Sequence, residues 1–187
     1  MLAVGGTTLT ADPVTGAYVS ETAWNGQSGL SQASGASGGG FSHLYARPAY
    51  QDGVPGIGTM RGVPDVAADA DQQGGSPVVL TSGGKTWITS AGGTSASAPL
   101  WAGLMALADQ DAHHDLGFVN PAIYRIARSS SYHQAFHDIT TGSNIQTMPY
   151  PGGTAGYPAG PGWDPVTGWG SPNAQVLVPL LALEPPR

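Results

Sequence analysis

Cysteine is absent from the 187 residues, which excludes disulfides, thiolate nucleophiles and thiolate metal sites from this chain. Charge is scarce too: Asp, Glu, Lys and Arg together make up 10%, so long solvated helices should be few. Lys+Arg 6 against Asp+Glu 12 leaves a net charge of −6 and a pI near 5.0. Nucleic-acid binding ordinarily rests on a basic patch, and this balance argues against it. No apolar run is long enough to span a bilayer, which argues against a membrane partner. The start, Met1-Leu2-Ala3-Val4-Gly5-Gly6, lacks the basic segment and long apolar core of a signal peptide. Glutamate is nearly missing: Glu21 and Glu184 are the only two.

What the chain has in abundance is glycine, 29 residues, and proline, 16. Both belong to turns and loops. The length suffices for one domain with a real core, and residues 1–187 read as part of a single domain. Residues 2–4 and 7–9 suggest a short strand, a turn and more strand. Tyr18-Val19-Ser20-Glu21-Thr22-Ala23-Trp24 alternates like an exposed strand. By composition the Ser/Gly-rich stretch between Gly26 and Gly40 fits a flexible linker. Residues 77–81 and 85–89 flank Ser82-Gly83-Gly84, a hairpin signal. Asn120-Pro121 opens a helix whose apolar face is Ile123, Tyr124, Ile126 and Ala127. Ser171-Pro172 opens another, with Val176, Leu177, Leu180, Leu181 and Leu183 inward and a kink at Pro179. His113 and His114 stand in a polar stretch without partner ligands at metal spacing, as in a solvated loop.

The stretch Ala91-Gly92-Gly93-Thr94-Ser95-Ala96-Ser97-Ala98-Pro99-Leu100-Trp101-Ala102-Gly103-Leu104-Met105 carries the most chemistry. It begins as a glycine turn and continues as an apolar helix, of the kind usually buried in a core. Thr94 and Ser95 are good capping types, so the bare pattern fits an ordinary helix cap. It also fits a reactive hydroxyl, because backbone N–H groups and the helix dipole at that end favour developing negative charge.

Three carboxylates stand in Arg61-Gly62-Val63-Pro64-Asp65-Val66-Ala67-Ala68-Asp69-Ala70-Asp71. A strand end with Asp side chains bonding nearby N–H groups explains them better than a metal or acid–base site. Near the end of the chain, Phe136-His137-Asp138-Ile139 and Gly160-Pro161-Gly162-Trp163-Asp164 supply hard oxygen donors of the type calcium takes. From spacing alone, a plain turn explains them equally.

Gly93-Thr94-Ser95-Ala96-Ser97-Ala98-Pro99 resembles the Gly-Thr-Ser-x-x-x-Pro nucleophile motif of subtilisin-like peptidases. The continuation Leu-Trp-Ala-Gly-Leu is similar to the sedolisin, or serine-carboxyl peptidase, branch. Gly38-Gly39-Gly40-Phe41-Ser42, the Arg61–Asp71 segment (residues 61–71) and the paired Asp138-Ile139 and Gly160-x-Gly162-x-Asp164 patterns resemble the same family, in the same order. The resemblance turns the glycine-rich stretch into an ordered loop. It implies an α/β, subtilisin-like architecture, a mostly parallel sheet with helices on both faces, of which only the later strands and helices are present. It implies Ser95 as nucleophile of an acid-active, extracellular endopeptidase acting on peptides or unfolded proteins. It implies calcium held by the Asp138 and Asp164 carboxylates and the carbonyls of Ile139, Gly160 and Gly162.

The family's remaining catalytic groups have no counterpart. Its Glu-x-x-x-Asp element is missing, since Glu21 is followed four residues later by Asn25. No Asp-Ser-Gly, the element that carries its oxyanion Asp, occurs either. The expectation is a C-terminal part of the catalytic domain, whose partner is the missing N-terminal part. A catalytically inactive, calcium-stabilised binding or structural module is the alternative, and a true subtilisin relative a third.

Overall fold

The computed structural model describes residues 1–26, 35–72, 75–145 and 156–185. Most of the Ser/Gly-rich stretch after Gly26 lies outside the described residues. Its far end is ordered into the domain: the Ser37 hydroxyl donates to the Val166 carbonyl at 2.6 Å and accepts from the Gly6 N–H at 2.9 Å.

Residues 2–11 do not break into strand, turn and strand. Gly5 and Gly6 continue a single strand, β1 (Val4–Ala11). Its inner positions sit where a side chain has no room: a Cβ on Gly6 would come within 2.6 Å of the Ala70 side chain. β2 (Tyr18–Ala23) pairs antiparallel with β1, and its exposed face is interrupted by buried Glu21 and Ala23. β3 (Gly40–Ala46) pairs antiparallel with β4 (Met60–Val63). β5 (Val66–Asp69) joins the other edge of β1 in parallel, with Val4 opposite Val66 and Thr7 opposite Asp69. The sheet order β2-β1-β5 puts the most buried strand, β5, at one edge of this three-stranded sheet. β6 (Ser76–Ser82) and β7 (Lys85–Ala91) form the expected hairpin, turning through Gly83 and Gly84 at positive φ.

The long helix α1 (Thr94–Ala112) follows β7 directly and packs on β1 and β5. Its apolar sequence does not make it a fully buried helix. Trp101 and Ala108 are buried, whereas Leu100 is 44% and Leu107 53% exposed. One side alone meets the sheet and α4, so the apolar residues on the other have no cover among the described residues. α2 (Asn120–Ala127) carries Pro121 in its first turn and buries Ile123, Tyr124, Ile126 and Ala127, as its pattern requires. A single-turn α3 (Tyr132–Ala135) leads into the two-residue strand β8 (Phe136–His137).

Ser171-Pro172 does not open a helix. It forms β9 (Ser171–Pro172) against β8, and α4 (Ala174–Ala182) starts after the N-cap Asn173. Ser171 and Pro172 are taken up by ladder pairing, so the helix begins only at Ala174. The α/β class stands. Among the described residues the parallel ladder is β1/β5, and the other four ladders are antiparallel. The core gathers Val66, Trp101, Ile123, Tyr124, Phe136, Leu177 and Leu181 between the sheet and the helices.

Candidate functional site

The start of α1 is held on the end of β5 by four consecutive carbonyls. Ala67 accepts from the Trp101 indole at 2.9 Å. Ala68 and Asp69 share the Ser97 hydroxyl, each at 3.0 Å. Ala70 accepts from the Gly93 N–H at 2.7 Å. Gly93, at φ 76, is the N-cap, and no side chain caps the helix. Neither Thr94 nor Ser95 is therefore a cap: both lie inside the first turn. There the Ala96 N–H already reaches the Gly93 carbonyl at 2.9 Å, which leaves the Thr94 and Ser95 N–H groups without an acceptor in the helix.

Ser95 and Ser97 fall into opposite roles. Ser97 is fully buried and its one proton is committed to strand carbonyls. Ser95 is exposed, and among the described residues its hydroxyl makes no hydrogen bond. The helix N-terminus thus offers a free hydroxyl beside free N–H donors, the elements an acyl-transfer nucleophile needs. A base beside it is lacking among the described residues.

The carboxylates of residues 61–71 do not form a reactive cluster. Asp65 is fully buried and receives Arg61 through both ends of its guanidinium, at 3.0 and 2.7 Å. It also receives the Asn120 amide, the Tyr124 hydroxyl and the Ala3 N–H at 2.9, 2.9 and 2.8 Å. Such a saturated, paired carboxylate is structural. Burial, joined by the Asp65 charge, pushes the Tyr50 hydroxyl beside it up to about 12. Asp69 accepts from the Leu9 and Asp71 N–H groups, both at 3.2 Å. Burial raises its carboxyl above the usual range, with those N–H bonds opposing. Local N–H bonding thus describes only the Asp71 contact of Asp69, whose other partner lies on β1, and Asp65 reaches across the fold to β1 and α2. His114 lies against the Ala112 and Glu184 carbonyls at 2.8 and 3.1 Å, which ties down a residue expected in a solvated loop.

The second group of residues converges on one loop. Asp138 accepts the Gly162 N–H on both oxygens, at 3.1 and 3.0 Å. Asp164, 5% exposed, accepts the Gly160 N–H at 3.1 Å. Its oxygens also take the Val166 N–H at 2.7 Å, the Thr167 N–H at 2.8 Å and the Thr167 hydroxyl at 3.0 Å. Ile139 follows Asp138 and is buried. Asp138, Gly160, Gly162 and Asp164 are therefore brought together, with Tyr132 behind them: burial, then the Asp138 and Asp164 carboxylates, push its hydroxyl upward. Among the described residues neither carboxylate has an arginine or lysine partner. Nor do three or more acidic or histidine side chains gather anywhere among them. Uncompensated charge on a buried loop is costly, and burial accordingly raises the Asp164 carboxyl against its four hydrogen bonds. A hard cation would remove that cost, and an oxygen-only donor set suits calcium.

The roles of Ser97 and Thr167 escape sequence reasoning. Only the three-residue spacing of Asp164 and Thr167 hints at the second, as a side-chain-bonded turn.

No protein-family model matches the chain. Individual proteins do. Kumamolisin from Bacillus sp. (strain MN-32) is 42% identical over 97% of this chain and 31% of its own length. Sedolisin from Pseudomonas sp. (strain 101) is 37% identical over 91% and 27%. Tripeptidyl-peptidase 1 from Homo sapiens is 34% identical over 78% and 27%. The structure of Pseudomonas sedolisin, a serine-carboxyl proteinase complexed with two molecules of pseudo-iodotyrostatin, superposes with a TM-score of 0.78 at 36% identity. That match covers 95% of this chain and 45% of the other.

The chain belongs to the sedolisin family. It spans about a third of the length of the curated relatives it matches. Membership places it among peptidases and accounts for the α/β architecture.

Proposed function

We propose that this chain carries the nucleophile of a sedolisin-type serine endopeptidase, active in acid and stabilised by calcium. One observation carries the reading: Ser95 is exposed and uncommitted at the helix N-terminus, while Ser97, two residues on, is buried and spent on β5. In the proposed reaction the Ser95 Oγ attacks a peptide carbonyl and a carboxylate takes its proton. The Ser95 N–H supplies one donor to the resulting oxyanion. A carboxylate base suits acidic operating pH better than histidine. The base and the second oxyanion donor are the family's Glu and Asp, contributed from outside these 187 residues by the N-terminal part of the same domain.

Exposed apolar side chains support a covering partner of that kind. On the hairpin, Leu80 opposes Trp87 and Val79 opposes Ile88, all more than half exposed, and Leu100 and Leu107 add to them from α1. The substrate would be a peptide or unfolded protein, with neither nucleic acid nor membrane as partner. Among the described residues no helix is long and apolar enough to cross a membrane. The setting would be extracellular.

Calcium is proposed for the loop of Asp138, Ile139, Gly160, Gly162 and Asp164. The two carboxylates would hold it with the Ile139, Gly160 and Gly162 carbonyls. It would supply charge compensation and loop rigidity, away from the bond-making step.

The absence of a base beside Ser95 among the described residues favours a second reading, an inactive module stabilised by calcium. The two separate in an enzyme completed with the upstream Glu/Asp segment of a relative. Ser95→Ala should abolish hydrolysis of an unfolded protein at acidic pH and leave calcium binding intact, while Ser97→Ala retains turnover. A completed enzyme without turnover favours the module. Loss confined to Ser97→Ala sinks the Ser95 assignment.

A further inference from the structure

We propose that Thr167 is a positioning residue of the Asp164 loop, fixing the carboxylate in the orientation in which it meets the cation. The inference rests on the calcium reading above and adds to it a residue outside the donor set.

Thr167 is fully buried. It grips both oxygens of one carboxylate, its N–H on Oδ1 at 2.8 Å and its hydroxyl on Oδ2 at 3.0 Å. Two donors from one rigid residue set the plane of the carboxylate, because rotation about its Cβ–Cγ bond would break both bonds. A local turn needs only the N–H bonds of Val166 and Thr167, which close the backbone here with the Asp164–Gly168 pairing. The hydroxyl is surplus to that turn. Threonine's branched Cβ limits χ1, so the hydroxyl keeps its aim. Such outer partners of metal-binding carboxylates commonly alter metal affinity 10–100-fold.

The test uses the 187-residue chain with terbium as probe and calcium as competitor. Trp163 and Trp169, both buried in this loop, serve as the antenna. The unsubstituted chain should show a saturable signal that calcium displaces and that Asp164→Ala abolishes. Thr167→Val, which removes the hydroxyl and keeps the shape, should raise the calcium Kd roughly 10-fold or more. Thr167→Ser should restore it. All are read far below the melting temperature, where a purely structural role leaves Kd unmoved. Should Thr167→Val not fold, Thr167→Ala carries the same comparison. A saturable wild-type signal with Thr167→Val or Thr167→Ala within twofold of it overturns the role of Thr167 alone. No saturable signal, or one that survives Asp164→Ala, overturns the calcium reading and this inference with it.

Discussion

Gly168 lies flat against the backbone of Asp65: a Cβ there would meet the Asp65 carbonyl carbon at 2.3 Å and its oxygen at 2.4 Å. The contact is locked by the neighbouring Trp169 N–H, which donates to the same Asp65 carbonyl at 3.0 Å, and by the Ala67 N–H on the Gly170 carbonyl at 2.9 Å. The loop carrying Asp164 is thus sewn to the outer edge of β5. The carbonyls of β5 and of Ala70 just beyond it hold Trp101, Ser97 and Gly93. One short strand therefore connects the proposed calcium loop with the Ser95 turn.

Gly168→Ala tests that seam. Gly168 has φ 60, a region that costs an L-residue roughly 1–2 kcal/mol. Forcing a methyl into packed backbone adds about 1–3 kcal/mol. The expected result is a loss of about 2–5 kcal/mol in urea unfolding, seen equally with calcium and with chelator. An unchanged midpoint would mean that the loop is not pressed on β5.

Much of this was open to sequence reading and some was not. The hairpin, α2 and the α1 start follow from glycine pairs, Pro121 and apolar spacing, which are local signals. The Ser171-Pro172 reading fails because a pairing with residues 136–137, far off in sequence, takes those two residues before the helix begins. The burial of α1 is misjudged for the same reason: composition reports that a helix is apolar, not which side meets a neighbour. Ser95 stands out by motif, yet its separation from Ser97 needed the strand carbonyls that only the fold brings beneath the helix. Asp65 reads as a turn residue, and its partners Arg61, Asn120, Tyr124 and Ala3 come mostly from distant elements.

Removal of the metal is the second test. If Asp138 and Asp164 hold calcium, a hundredfold excess over Kd should raise stability by about 2.7 kcal/mol relative to chelator. Asp164→Ala should abolish that gain. A thermal melt with the same midpoint in excess calcium and in chelator would refute the site.

Glu21 gives a pH dependence of definite sign. It is 9% exposed, and its oxygens meet the Thr7 and Ser171 hydroxyls. Burial raises its carboxyl above the ordinary 4.5, the two hydroxyl bonds opposing and the Asp69 charge adding to the rise. The folded chain therefore holds this proton more tightly than the unfolded chain. The stability it contributes is full below 4.5 and is lost as pH rises through the folded value. Glu21→Gln mimics the protonated form. Urea midpoints across that window should fall for the unsubstituted chain and fall less for Glu21→Gln. Parallel curves for the two would show that Glu21 does not titrate abnormally.

The last prediction is that these 187 residues are not by themselves a working peptidase. Ser95 is exposed at the start of α1, but among the described residues no carboxylate or imidazole bonds to its hydroxyl. The two acids at the ends of the strand beneath α1 are already engaged, Asp65 by Arg61 and Asp69 by two N–H groups. Glu21 is bound between Thr7 and Ser171 on the sheet. Asp138 and Asp164 face their own loop. Loss of one oxyanion donor costs on the order of 10²–10³ in rate, and loss of a triad base on the order of 10⁶ in a comparable serine peptidase. These factors need not multiply for turnover to vanish from an ordinary assay. The chain and its Ser95→Ala variant, purified side by side and given an unfolded protein at acidic pH with calcium, should be equally inert. Cleavage by the first and not by the second would mean that a carboxylate within these residues reaches Ser95 once substrate is bound, and Asp69, whose backbone carbonyl already holds the same helix turn, would be the first to replace.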